Sequence, residues 1–144
     1  MPASVTDVRV RYAETDQMGR AHHMSFVAWF ELGRTEMMRR SGLSYAAMER
    51  RGIYLPVVRL EIDYLGAAAY EELVSVHTQL AEVRSRRVRF DYVVAAESGE
   101  RIAEASTVLV CVGSDGRPRR LPDDLREALR KLGGGHPEAP PADA

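Results

Sequence analysis

The chain has 144 residues, 45% of them hydrophobic and 28% charged. That length fits one domain able to bury a core of its own. Twenty basic residues against 21 acidic ones leave a net charge of −1. This balance argues against a dedicated binder of nucleic acid or of an anionic membrane surface, since both draw on a basic excess. Cys111 is the only cysteine, so no intramolecular disulfide is expected. No run approaches the ~18 apolar residues of a membrane span. The start, MPASVTDVRV, lacks the apolar stretch of a signal peptide, and a cytoplasmic location is expected. Among the basic residues Lys131 is the sole lysine; all the others are arginines.

Residues 1–132 read as a single domain. Residues 133–144, GGGHPEAPPADA, are too rich in Gly, Pro and Ala to bury apolar surface and are expected to be a disordered tail. Along the body, residues 5–12 alternate, with Val8, Val10 and Tyr12 on one face, as in a half-buried strand. Residues 24–40 predict a long helix. Phe26, Trp29, Phe30, Gly33 and Met37 fall on one stripe of it. Gly33 costs roughly 1 kcal/mol of helix propensity against Ala, and its place inside the stripe predicts close packing on another element. A shorter helix is expected near 44–51, with Ser44 as its N-cap.

Four strand-like runs follow. Residues 57–64 put Val58, Leu60, Ile62 and Tyr64 on one face; 73–83 do the same with Val74, Val76, Thr78 and Leu80; 87–96 with Val88, Phe90, Tyr92 and Val94. Residues 102–112 are apolar on both faces and predict the central strand. Ser98-Gly99 marks a hairpin. Residues 121–132 read as a short closing helix. Strands in succession beside one long apolar helix define an α+β fold, in which an antiparallel sheet curls around the helix of Trp29 and Phe30.

The segment YAETDQMGRAHH, residues 12–23, leaves the first strand, turns and delivers the chain to the long helix. A helix N-terminus presents unpaired N–H groups and about half a positive charge, which can polarise an oxygen. Asp16 has two readings: a turn or cap residue, or a carboxylate held beside that N-terminus for acyl transfer. Gly19 fits a turn that needs positive φ. His22 and His23 are adjacent, unlike the i, i+4 spacing of metal pairs, and no metal is expected. Glu31 and Arg34 predict an ion pair on the helix. Cys111 predicts core filler. RSRRVR, residues 84–89, gathers Arg84, Arg86, Arg87 and Arg89. It reads as a solvated strand edge or as a small phosphate site.

The stretch VRVRYAETDQMGRAHHMSFVAWFELGRTEMMRRSGLS resembles the start of the 4-hydroxybenzoyl-CoA thioesterase family, closest to the Tol–Pal-associated bacterial acyl-CoA thioesterases. The resemblance extends through PVVRLEIDYLGAAAYEELVSVHTQL to GRPRRLP. It implies the hotdog fold and hydrolysis of an acyl-CoA to free acid and coenzyme A. Asp16 would match the catalytic aspartate, as nucleophile or general base. His23 would match the residue whose backbone N–H polarises the carbonyl, and Gly19 the glycine that lets the turn approach the substrate. Tyr12, His22 and Glu31 would stand at substrate-binding positions. His22, Arg20, Ser25 and Phe26 depart from the common residues at their places, near the acyl pocket.

No cofactor is expected, coenzyme A being part of the substrate. The phosphates of coenzyme A suggest a use for Arg84, Arg86, Arg87 and Arg89. Hotdog sheets pair edge to edge, so a homodimer or a tetramer of two dimers is expected. The rival readings are a hotdog hydratase or dehydratase on enoyl or 3-hydroxyacyl thioesters, and a non-catalytic acyl-CoA or acyl-carrier-protein binding module.

Overall fold

A computed structural model describes residues 4–133. In chain order it contains β1 (Ser4–Arg9), a single 3-10 turn (Tyr12–Glu14), α1 (Ser25–Arg40), α2 (Tyr45–Arg50), β2 (Val57–Tyr64), β3 (Leu73–Val83), β4 (Arg87–Ala96), β5 (Arg101–Val110) and α3 (Asp123–Leu132). The expected tail, apart from Gly133, lies outside the described residues.

The five strands form one sheet in the order β1-β3-β4-β5-β2, and each neighbouring pair is antiparallel. α1 lies against its inner face. Phe26, Trp29, Phe30, Gly33, Met37 and Met38 of α1 are buried, which is the predicted stripe with Met38 added. The Phe30 ring packs 4.7 Å from that of Tyr92. Burying each large side chain of this kind contributes ~1.5–3 kcal/mol of transfer free energy. Gly33 fulfils its prediction: a Cβ there would stand 2.4 Å from Thr78 Oγ1 and 3.0 Å from Val76 Cγ1. The helix backbone therefore rests directly on the Thr78 and Val76 side chains of the strand. Ser44 caps α2 by accepting the Ala47 N–H at 3.0 Å. Leu121, Leu125 and Leu129 close the core under α3.

Three expectations are corrected. The first strand ends at Arg9, and the turn over 12–14 leaves Tyr12 78% exposed while Val10 is fully buried. Once the backbone leaves the ladder, strand alternation no longer decides where a side chain points. The central strand is β4; β5 sits between β4 and β2. Its apolar character reflects two strand neighbours, which an off-centre strand also has. The alternation in β2 is present, but Val58, Leu60 and Tyr64 remain exposed, because β2 forms the sheet's edge and little of the chain covers it.

Candidate functional site

The site is built where β1 ends and α1 begins. Thr15 and Ala21 form an antiparallel bridge, and Asp16 N–H donates to the Arg20 carbonyl at 2.8 Å. Between them the chain reverses through Gly19 at φ 74°, a left-handed conformation open to glycine without a Cβ penalty. Gly19 N–H returns to the Asp16 carbonyl at 3.0 Å. Asp16 Oδ1 accepts the Met18 N–H at 2.9 Å. Asp16 is thus a turn residue, one oxygen making an Asx turn, and its other carboxylate oxygen has no protein partner among the described residues.

The turn is fastened to the helix by Glu14, a residue the sequence did not single out. Its Oε2 accepts the indole N–H of buried Trp29 at 2.8 Å, and its Oε1 accepts the Arg11 N–H at 2.8 Å. Its carbonyl takes His22 N–H at 2.7 Å and the Ser25 hydroxyl at 2.8 Å. Burial pushes the Glu14 carboxyl up, but the Arg11 N–H, the Trp29 indole and the Arg11 guanidinium outweigh it and hold the group below its ordinary value. The available signal was a carboxylate 15 residues before the only tryptophan, which no periodicity rule connects.

α1 starts without a side-chain cap at Met24. His22 Nδ1 instead accepts the Met24 N–H at 3.1 Å. Its ring stacks on that of His23 at 4.2 Å. The His23 carbonyl receives the Tyr64 hydroxyl at 2.7 Å, and Tyr64 meets Phe26 edge to face at 5.2 Å. The His23 N–H has no hydrogen-bond partner among the described residues. It is an unpaired donor at the positive end of a 16-residue helix.

Tyr12, Asp16, Gly19, His22 and His23 thus share one end of the molecule. Glu31 lies eight residues along α1 from His23, or about 12 Å at 1.5 Å per residue. It lines a cleft of about 350 Å³ with Arg34, Thr35, Tyr45, Glu49 and Leu55. The expected Glu31–Arg34 ion pair does not form among the described residues. Arg34 instead lies beside the hydroxyls of Tyr45 and Tyr92; burial pushes that of Tyr45 up to about 12, against the pull of the Arg34 charge. Cys111 is fully buried, and burial pushes its thiol up, as suits core filler. Among the described residues no group of three or more His, Cys, Asp or Glu side chains is placed to hold a metal ion.

The arginines of 84–89 lie elsewhere. β3 pairs with β4 from Val74↔Ala96 at the Asp16 end to Val83↔Val88 at the other, about 30 Å apart at ~3.3 Å per residue. Arg84 pairs with Glu82, and Arg89 with Glu82 at 3.6 Å and Asp91 at 3.2 Å. Within one chain they do not reach Asp16. A cavity of about 500 Å³ on the outer face, among Ser75, His77, Asp91 and Arg101, includes none of the candidate residues either.

A curved antiparallel sheet around one long helix, with a carboxylate turn at that helix's N-terminus, defines a hotdog-fold thioesterase. Comparison with known proteins agrees. Residues 10–129 match the Thioesterase-like superfamily, and the chain belongs to it. It is 34% identical to the putative acyl-CoA thioesterase YneP of Bacillus subtilis, over 80% of this chain and 83% of that protein. The DHNA-CoA thioesterase of Staphylococcus aureus superposes with a TM-score of 0.87 at 36% identity, covering 93% of each chain. A hypothetical protein from Thermus thermophilus, TT1821, gives 0.85 at 42% identity over 90% of this chain and 98% of that one. These matches carry the thioesterase family and not the Tol–Pal association. No helix among the described residues is long and apolar enough to cross a membrane.

Proposed function

We propose that this chain hydrolyses acyl-CoA thioesters, with Asp16 as the reacting carboxylate and the His23 N–H as the carbonyl's hydrogen-bond donor. The observation that carries the reading is the pairing of a carboxylate oxygen free of protein bonds with an unpaired N–H at the start of α1. A developing oxyanion placed on that N–H is stabilised by the helix end. Asp16 then acts in one of two ways. As base it takes a proton from water, which attacks the carbonyl. As nucleophile it forms a mixed anhydride, which water opens. In both routes the C–S bond breaks and coenzyme A leaves as the thiol. Gly19 and His22 support the arrangement, the first by shaping the turn and the second by occupying the Met24 N–H.

The acyl group is proposed to run along α1 from His23, past the half-exposed Val27, toward Glu31. Aromatic and aliphatic acyl groups both suit a wall made by the half-exposed Val27 and Tyr64. A thiol-release screen with short-chain, long-chain and aryl-CoA esters tests this, with Asp16→Asn in parallel. Release by the wild type and its loss in the variant are expected. Saturable binding with no release from any ester would overturn hydrolysis in favour of a binding module. Absorbance change on an enoyl-CoA without thiol release would favour a hydratase.

The chain is proposed to act as a homodimer, or as a tetramer of two dimers, in the cytoplasm. Support comes from β2, an edge strand whose Val58, Leu60 and Tyr64 are exposed. Such an edge is a template for pairing with a second copy. Light scattering at the mass of one chain would refute it.

A further inference from the structure

The His23 N–H is useful to a carbonyl only if it is aimed, and the chain fixes its direction from both sides. Its own peptide plane, between His22 and His23, is tied at the other end, where the His22 carbonyl accepts the Ser25 N–H at 2.9 Å. The next plane, between His23 and Met24, is gripped twice. The Met24 N–H donates to His22 Nδ1 at 3.1 Å, and the His23 carbonyl accepts the Tyr64 hydroxyl at 2.7 Å. Peptide planes are rigid, so fixing both neighbours of His23 fixes its two backbone dihedrals. The direction of its unpaired N–H is then fixed as well. One grip is local, two residues long. The other comes from the sheet, across 41 residues.

Tyr64 is itself firmly placed. It is the last residue of β2, in register with Ala103 of β5. Just beyond it, the N–H groups of Leu65 and Gly66 both donate to the Ile102 carbonyl, at 3.0 and 3.1 Å. Its ring meets Phe26 edge to face at 5.2 Å and His23 at 6.4 Å. Burial pushes the ionisation of its hydroxyl up, which keeps the group a donor. β2 is also the edge offered above to a second copy. The bond from Tyr64 to His23 lies within one chain and does not wait for that pairing. A partner strand along β2 would cover the ring, which is 45% exposed in the single chain.

We propose that Tyr64, together with His22, is a positioning residue for hydrolysis: the two clamp the His23–Met24 peptide and so aim the His23 N–H at the thioester carbonyl. The role rests on the acyl-CoA reading above. Neither side chain has to touch the carbonyl. A preorganised donor is effective because it is aimed before charge develops and need not reorient during the reaction. A misplacement of about 1 Å in such a group can cost about 10²-fold.

The test uses the full-length protein and three substitutions. Tyr64→Phe keeps the ring beside the acyl path and removes the hydroxyl. His22→Ala removes the acceptor on the other side. His22→Asn replaces it, since an asparagine oxygen can take the same N–H two residues on. Tyr64→Phe and His22→Ala are each expected to lower kcat about tenfold, with KM within about twofold. His22→Asn should recover most of the loss seen in His22→Ala. An acyl-CoA analogue with methylene in place of the thioester sulfur keeps the carbonyl and is not cleaved. Its infrared carbonyl stretch should fall on binding to wild type, and fall less in Tyr64→Phe and His22→Ala. Light scattering should give one mass for all four proteins. The clamp is overturned by an unchanged kcat in both Tyr64→Phe and His22→Ala, by a wild-type carbonyl stretch in both, or by a His22→Asn no better than His22→Ala. A fall in kcat that only follows dissociation into single chains also overturns it. The outcomes separate the two claims. A Tyr64-dependent carbonyl shift without hydrolysis of any thioester removes the enzymatic reading and keeps the clamp. Hydrolysis with kcat and carbonyl stretch indifferent to both substitutions does the reverse.

Discussion

The two ends of the sheet use similar residues to different effect. At the far end, around 84–89, arginines are numerous: Arg84 and Arg89 are matched to Glu82 and Asp91, while Arg86 and Arg87 have no ion pair among the described residues. At the other end several groups are left open among the described residues: a carboxylate oxygen of Asp16, the His23 N–H and Arg20. The Arg84–Glu82 pair is largely exposed, and pairs of that kind contribute little, roughly 0–1 kcal/mol. The open groups at the Asp16 end persist because a scaffold of backbone bonds and Glu14 holds them.

The sharpest way to break this contrast is Asp16→Asn. Asparagine keeps the oxygen that accepts the Met18 N–H, so the turn should survive, while thioester turnover should fall by ~10²–10⁴-fold. Near-normal turnover by a folded variant would strip the open end of its role. Glu14→Ala comes next, for it removes acceptors from the Trp29 indole and the Arg11 N–H. Chemical denaturation should show a loss of about 2–3 kcal/mol, with turnover reduced because the turn is no longer tied to α1.

The same residue predicts a pH dependence. Glu14 has its folded-state pKa depressed. Its contribution is therefore present above the unfolded-state value and is lost as pH falls through the depressed one. The stability gap between wild type and Glu14→Gln should narrow on acidification over that interval; a gap that widens would contradict the assignment. Gly33→Ala should cost about 2 kcal/mol in the same denaturation measurement, because the added Cβ overlaps the Thr78 and Val76 side chains and forces helix and strand apart. The smallest effect is expected at the far end, where Arg87→Ala should leave kcat/KM within about twofold. A large loss there would mean that a second copy brings its arginines across to the site.

Much of the fold was legible in the sequence. The strands at 57–64, 73–83 and 87–96, the stripe on α1 and the Ser44 cap follow from local periodicity and capping chemistry, which act over a few residues. Gly33 was legible because a helix-breaking residue inside an apolar stripe needs a steric reason. Asp16, Gly19 and His23 were marked by their order around a turn and a helix start. Other features depended on partners distant in the chain. Glu14 meets Trp29 across 15 residues, and Tyr64 reaches the His23 carbonyl across 41. Arg34 makes no ion pair with Glu31, and the buried Tyr45 hydroxyl beside it is left without a hydrogen-bond partner among the described residues.

By itself, then, the sequence determined the elements, the class of fold and the turn that carries Asp16, since each is set by interactions between near neighbours. The tertiary structure alone decided that β4 is central, that β2 keeps an apolar edge, that Tyr12 points outward and that the arginines of 84–89 lie a sheet's length from Asp16. Those outcomes depend on which strands pair and in what register, and pairing is a balance of contacts among residues far apart in the chain.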